Sequence, residues 1–178
     1  MSISPKITKK LAESKVPHEI VPHKKVFTAY DAAATLKVKL EQVIKPLLIK
    51  AEKDYHLVLL PAHKNLDFKK LAKLLKVNIS KIQLPKEKVM TDIFKVKPGA
   101  ISAFGSVHQL PVLVEKDLLK LKEAIFPSGS FVESIKMKVK DYMNLEKPTI
   151  GVFGIAKKIK KSKPAKIKKA KKNPKRRK

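Results

Sequence analysis

One lysine in this sequence stands where a charged group is unexpected. Lys45 lies in the segment 43–48, in which every neighbour is Val, Ile, Pro or Leu. A lysine among apolar residues either extends its ammonium group along the surface to water or directs it into a cleft. An ammonium group in a cleft can stabilise a developing negative charge or bind a phosphate. Lys45 is therefore the first candidate for a functional residue, and an ordinary surface lysine is the alternative.

The other residues that commonly carry catalysis or bind metals form no known pattern. The chain contains no Cys, so disulfide bonds and thiolate metal ligands are excluded. The carboxylates are scattered, and there is no GxSxG, P-loop or GxGxxG motif. The histidines do not show the close spacing of a metal site. They are His18, His23, His56, His63 and His108. We therefore expect neither a metal ion nor a cofactor.

The charge of the chain is strongly positive and unevenly distributed. The formal net charge is +27, from 42 basic and 15 acidic residues. Residues 155–178 contain 14 of the basic residues and no acid, which leaves about +13 on residues 1–154. Such a surface attracts polyphosphates by releasing their counterions. A lysine-rich composition without a functional role is the alternative, and it applies more to the body than to the tail.

The type of the basic residues favours contacts with a nucleic-acid backbone over recognition of bases. Only two arginines occur, and lysine lacks the planar fork that arginine uses to bind guanine. The segment 155–178 has little to bury, so we predict a disordered basic tail. Its candidate RNA-binding residues are Lys157, Lys158, Lys160, Lys161, Lys168, Lys169, Lys171, Lys172, Arg176 and Arg177.

Short helices and strands must position Lys45. Ser4 and Pro5 are typical of a helix start, and Thr28 with Asp31 can cap a second helix. Residues 47–51 and 55–60 predict a hairpin. Further helices are expected at 40–43, after Asn65 or Asp67, and at 86–93, 116–122 and 140–145. Further strands are expected at 18–21, 81–84, 100–104, 111–114, 124–126, 134–137 and 149–153.

This mixture predicts an α+β (mixed α/β) fold built round a curved mixed sheet with packed helices. The length favours one domain, at 1–154, followed by the tail at 155–178. The sequence has no apolar run of 18 residues and no secretory signal, so we expect a cytoplasmic protein without a membrane partner.

Six short motifs follow one another over roughly residues 5–146. They are Val26-Phe27-Thr28-Ala29 with Ala32-Ala33, Val43-Ile44-Lys45-Pro46-Leu47-Leu48, Asn65-Leu66-Asp67-Phe68-Lys69-Lys70-Leu71-Ala72, Pro98-Gly99-Ala100-Ile101-Ser102-Ala103-Phe104-Gly105, Leu110-Pro111-Val112-Leu113-Val114-Glu115, and the turn and strand from Phe126 to Met137. In order and spacing, these motifs resemble the YbaK / prolyl-tRNA synthetase editing-domain family.

The resemblance implies a fold and an activity. The family has an antiparallel-rich, barrel-like sheet, and its members hydrolyse the ester of wrongly charged tRNA without a metal. The implied function is a free-standing aminoacyl-tRNA deacylase of the prolyl-tRNA trans-editing type. Its implied partners are aminoacyl-tRNA, held in part by the basic tail, and an aminoacyl-tRNA synthetase. A non-catalytic tRNA- or rRNA-binding protein on the same fold is the first alternative, and a different enzyme or a regulatory protein on a similar scaffold is the second.

The resemblance also assigns candidate residues by position. Lys45 matches a lysine that binds the end of the tRNA and is needed for activity, and Gly99 matches the loop that positions the ester, so both are catalytic candidates. The expected substrate-binding residues are Thr28, Ile101, Ser102, Ala103 and Ser134. Simpler roles remain open, since Thr28 can serve only as a helix cap and Gly99 only as a turn glycine.

Two features bear on this assignment. Ala103 stands where the family has a proline, which predicts a looser loop and favours either a different amino-acid specificity or the non-catalytic alternative. The side chains of Phe27 and Phe104 are predicted to belong to the core rather than to stack on bases.

Overall fold

The computed structural model describes residues 3–97 and 99–156. Its α-helices are α1 (Pro5–Ser14), α2 (Ala29–Leu36), α3 (Phe68–Leu75), α4 (Glu87–Phe94) and α5 (Val139–Glu146). Its strands are β1 (His18–Pro22), β2 (Ile44–Ala51), β3 (Asp54–Pro61), β4 (Lys64–Leu66), β5 (Ile82–Gln83), β6 (Val112–Glu115), β7 (Glu123–Pro127), β8 (Glu133–Lys138), β9 (Thr149–Gly151) and β10 (Gly154–Ala156). Short 3-10 helices lie at Leu40–Gln42, Ile79–Lys81, Ser106–His108 and Lys116–Lys120.

The strands form three separate sheets. The largest has the order β5-β2-β3-β6-β9, with β2 and β3 antiparallel and β3, β6 and β9 parallel. An antiparallel sheet has the order β1-β8-β7, and β4 pairs with β10. The α+β class is confirmed, but the predicted barrel-like closure is wrong. A barrel needs every edge strand paired. Among the described residues, the backbones of the two larger sheets pair with each other at one isolated bridge, between Val43 and Ile125.

The β2–β3 hairpin has apolar side chains on both of its faces, so a core forms on each side of the large sheet. Leu57 and Leu59 of β3 face the core shared with α1 and the β1-β8-β7 sheet, while Val58 and Leu60 face α3. This follows from the two-residue period of a strand, which sends successive side chains to opposite faces. The hairpin is therefore buried on both sides, and its first residues reach a cleft between the sheets.

Several predicted elements differ from the structure. The predicted helix at 40–43 is a 3-10 helix, and so is the first part of the one predicted at 116–122. The segment 100–104 forms no strand; it is a loop whose backbone is bonded at isolated points. The last predicted strand, at 149–153, is shorter in the structure and corresponds to β9. Strand β10 is not predicted, and it includes Ile155 and Ala156, which the sequence assigns to the tail.

The remainder of the basic tail lies outside the described residues. All ten predicted RNA-binding residues fall there, between positions 157 and 177. Within the described part of the chain, no helix is both long enough and apolar enough to cross a membrane.

Candidate functional site

A cleft of about 410 Å³ opens between the start of α2, the start of β2, a loop at 99–105 that we call the Gly99 loop, and the strands β7 and β8. Its volume lies in the range of small-molecule sites. The predicted site residues that line it are Lys45, Gly99, Thr28, Ile101 and Ser134. Residues from four distant parts of the sequence therefore meet at one cavity. Ser102 and Ala103 are buried beside it and do not line it.

Lys45 is placed by the central hairpin. Its backbone pairs with Leu60 in β3, and its side chain is half-buried at the wall of the cleft. The ammonium group donates a hydrogen bond to the carbonyl oxygen of Lys64, at 2.5 Å. Lys64 is the first residue of β4, so the position of the ammonium group depends on that short strand.

A buried carboxylate fixes β4 and its partner β10. Glu115 is 1% exposed, and its Oε2 accepts hydrogen bonds from the backbone N–H groups of Phe153 and Gly154 at 2.7 and 2.6 Å. The ammonium group of Lys64 donates to Glu115 and to Asp117. A buried charge is stable only when it is paired and hydrogen-bonded in this way. The network therefore holds rigid the carbonyl group that receives Lys45.

The network also shifts the pKa values of its members. Burial lowers the pKa of the Lys64 ammonium group, but hydrogen bonds to Asp117 and Glu115 outweigh that effect and raise it overall. Hydrogen bonds from Lys120 and then from Lys64 lower the pKa of Asp117 to about 2. Each shift favours the charged form, so Lys64 and Asp117 remain ionised near neutral pH.

The Gly99 loop is held in part by a hydrogen bond that a proline at position 103 could not make. The N–H of Ala103 donates to the carbonyl oxygen of Pro127 at 2.9 Å, and a proline has no such donor. The carbonyl oxygen of Ala103 accepts a hydrogen bond of 2.5 Å from the buried hydroxyl of Tyr142. These bonds fix the loop without the ring of the family's proline. Gly99 itself has a φ of 91°, a conformation that other residues rarely adopt.

Ser102 points away from the cleft. Its hydroxyl lies 3.5 Å from Nε2 of His108, and burial lowers the pKa of that imidazole. The serine is therefore placed to support the Gly99 loop from behind rather than to contact a ligand.

The predicted capping box of α2 is confirmed. The Thr28 hydroxyl accepts a hydrogen bond from the N–H of Asp31 at 3.1 Å and donates to its carboxylate at 2.8 Å. A hydroxyl has one donor and two acceptor sites. Only one acceptor site of Thr28 is left for a ligand in the cleft.

Ser134 has a partner that the sequence does not reveal. Its hydroxyl lies 2.9 Å from Nε2 of His23, while Nδ1 of the same ring lies 2.9 Å from the carbonyl oxygen of Lys24. A carbonyl can only accept, so in a neutral imidazole Nδ1 carries the proton and Nε2 accepts the proton of Ser134. The serine oxygen then has its acceptor sites free to face the cleft. His23 lies 111 residues from Ser134, a separation that no local motif spans.

Two aromatic residues also line the cleft. Phe27 is 59% exposed and Tyr30 is 38% exposed, so the prediction that Phe27 belongs to the core is wrong. The prediction for Phe104 is confirmed, because that ring is fully buried. Among the described residues, no group of three His, Asp or Glu side chains could hold a metal ion.

Comparison with known proteins gives a family and a fold. Residues 23–145 match the model of the aminoacyl-tRNA editing domain. Among curated proteins, none matches the sequence.

Solved structures with the same fold cover most of the chain. A candidate trans-editing enzyme for prolyl-tRNA synthetase is 19% identical, with a TM-score of 0.76 over 87% of this chain and 100% of its own. The hypothetical protein APE2540 is 15% identical, with a TM-score of 0.76 over 84% of this chain and 99% of its own. At these identities the likeness shows a shared fold.

Proposed function

The chain belongs to the aminoacyl-tRNA editing domain family, and from that premise we propose that it is a free-standing aminoacyl-tRNA deacylase. It hydrolyses the ester that joins a wrong amino acid to the 3′ end of a tRNA. The observation that carries this proposal is the meeting of Lys45 and Gly99 at a single cleft. Members of such a family act on charged tRNA, so the cytoplasm is the proposed location.

The chemistry of the reaction suits the residues of the cleft. A water molecule attacks the ester carbon, negative charge develops on the carbonyl oxygen, and the ribose hydroxyl leaves with a proton. The ammonium group of Lys45 supplies positive charge that can stabilise the oxyanion or bind the terminal phosphate. The second hydroxyl of the same ribose can help to activate the water. Catalysis of this kind depends on preorganised charge, and the bond from Lys45 to the carbonyl of Lys64 supports that preorganisation.

We infer that the substrate is a tRNA charged in error by prolyl-tRNA synthetase. The support is the similar structure described as a candidate trans-editing enzyme for that synthetase. Discrimination between small amino acids depends on the shape of the cleft, and one methylene group changes binding by only about 1–3 kcal/mol. The test must therefore compare several amino acids.

The basic tail is proposed to hold the tRNA backbone. Strand β10 ends at Ala156, which pairs with Lys64, and the carbonyl of Lys64 holds Lys45. Ala156, the last described residue before these basic residues, therefore lies on the strand pair that supports Lys45. Deleting residues 157–178 keeps β10 and removes 14 positive charges. We expect weaker tRNA binding with a flatter salt dependence, since each lost phosphate contact reduces the slope. Unchanged binding at moderate salt would contradict this role.

The enzyme is tested with a panel of mischarged tRNAs. Proline tRNA carrying alanine, cysteine or serine is incubated with the protein, and loss of the ester is compared with spontaneous hydrolysis. We expect at least one substrate to be hydrolysed much faster than the uncatalysed rate. Binding of tRNA without hydrolysis of any substrate would instead favour the non-catalytic RNA-binding protein.

A further inference from the structure

An exposed aromatic ring at the mouth of the cleft needs an explanation beyond folding. Phe27 directly precedes Thr28, the residue that caps α2. A residue at this position often packs on the fourth residue of the helix, which here is the small Ala32. Phe27 nevertheless remains 59% exposed and lines the cleft, with Tyr30 beside it. Packing against the helix therefore does not account for the ring.

The ring is supported from behind. Its centroid lies 5.3 Å from that of Phe131, at an angle of 55°. The N–H of Val26 donates to the carbonyl oxygen of Phe131 at 2.9 Å, which ties the two segments together. A Cβ atom on Gly99 would lie 3.5 Å from the Phe27 carbonyl oxygen and 3.6 Å from the Phe131 ring. Phe27 is therefore a fixed, outward-facing surface next to the Gly99 loop.

A positive charge accompanies the ring. The ammonium group of Lys25 lies 5.1 Å from the centroid of Phe27. A flat aromatic surface next to a cation is an arrangement that can bind an unpaired nucleotide, because the base stacks on the ring and the cation binds the phosphate. A cleft of about 410 Å³ suits one nucleotide better than a folded protein partner.

We propose that Phe27, flanked by Tyr30, stacks with the unpaired base at the 3′ end of the tRNA, and that Lys25 then binds the phosphate of the same nucleotide. The inference rests on the proposed function, since it places the terminal nucleotide of the substrate at the mouth of the cleft. Stacking would orient the ribose ester toward Lys45 and would be insensitive to the tRNA sequence, because every base has a π-face.

The test uses an uncharged RNA hairpin with a single-stranded 3′ end whose last base is 2-aminopurine. Fluorescence of this base is quenched on stacking, and the protein contains no Trp to interfere. We expect the wild-type protein to quench the signal. Phe27→Leu should lose the quenching and bind about 5- to 10-fold more weakly, the lower part of the range for one stacked base. Phe27→Tyr should retain both.

Two controls separate stacking from a general loss of apolar surface. Leu84→Ala removes a side chain that is 58% exposed and lies outside the cleft, and it should change neither reading. A hairpin that lacks the terminal nucleotide should bind wild type and Phe27→Leu equally. Equal quenching by wild type and Phe27→Leu, or no RNA binding at all, would overturn the proposal. The RNA carries no ester, so the stacking test does not depend on catalysis. Quenching by a protein that shows no deacylase activity would contradict the proposed enzymatic function and still support the stacking site.

Discussion

The hydroxyl group of Tyr142 allows a one-atom test of how the Gly99 loop is held. The substitution Tyr142→Phe keeps the ring, which stacks on Phe126 with centroids 4.2 Å apart. It removes only the hydrogen bond of 2.5 Å to the carbonyl oxygen of Ala103. Both Tyr142 and Ala103 are fully buried, so the substitution leaves the Ala103 carbonyl oxygen buried without its hydroxyl donor. A buried polar group left unpaired costs about 1–3 kcal/mol of unfolding free energy.

Thermal unfolding measures this loss. In a protein of this size, 1 kcal/mol corresponds to about 2–4 °C in Tm, so we expect Tyr142→Phe to lower the Tm by roughly 2–12 °C. Tyr55→Phe removes the same atom from the hairpin strand β3 and serves as the matched control. An unchanged Tm for Tyr142→Phe would refute the conclusion that this bond holds the loop.

The same residue predicts an alkaline effect. Burial raises the pKa of the Tyr142 hydroxyl well above its ordinary value of 10.0. Above pH 10 the unfolded chain therefore loses this proton while the folded protein keeps it, so the unfolding free energy falls as the pH rises. Tyr142→Phe should lack that part of the decline, whereas the effect of the lost hydrogen bond remains at neutral pH.

Three further predictions concern the cleft and its supports. Hydrogen bonds, first from Lys120 and then from Lys64, lower the pKa of Asp117 from the ordinary 3.8 to about 2. The unfolding free energy of the wild type, measured by urea titration, should therefore fall as the pH is lowered from about 4 to 2, and that of Asp117→Asn should fall less. Ala103→Pro removes a backbone donor and should lower the unfolding free energy by about 1 kcal/mol or more. Ser134→Ala and His23→Ala should each lower kcat/KM by about 2- to 12-fold, the worth of one hydrogen bond, and the double variant should lose no more than either single variant. Additive losses in that cycle would show that the two side chains act separately.

Short sequence motifs correctly predict the elements that are held by contacts between residues close in the sequence. The capping box of Thr28 and Asp31 is confirmed because both partners lie within one turn of the helix. The hairpin at 47–60 is confirmed because its strands are adjacent and apolar. The segment 100–104 resembles a strand in composition, but the backbone groups of Ala103 are bonded to Pro127 and Tyr142, which lie far away in the sequence.

In the candidate site, too, local features can be predicted from the sequence and contacts between distant residues cannot. Lys45 is singled out as a candidate by one charge in an apolar segment. The carbonyl of Lys64 that receives it, and the pairing of His23 with Ser134, depend on contacts across the fold, so no spacing in the sequence reveals them. The sequence predicts a core position for Phe27, since aromatic residues are usually buried, whereas its exposure depends on how the start of α2 meets the Gly99 loop.

Single-turnover hydrolysis by Lys45→Ala tests the proposed enzyme most directly. Lys50→Ala is the matched control, because it makes the same change on the same strand, outside the cleft. We expect Lys45→Ala to hydrolyse the best substrate of the panel about 100- to 1000-fold more slowly, the loss typical of one group that stabilises an oxyanion, while Lys50→Ala keeps the wild-type rate. Equal rates for wild type and Lys45→Ala would contradict the role of the lysine and of the cleft in hydrolysis.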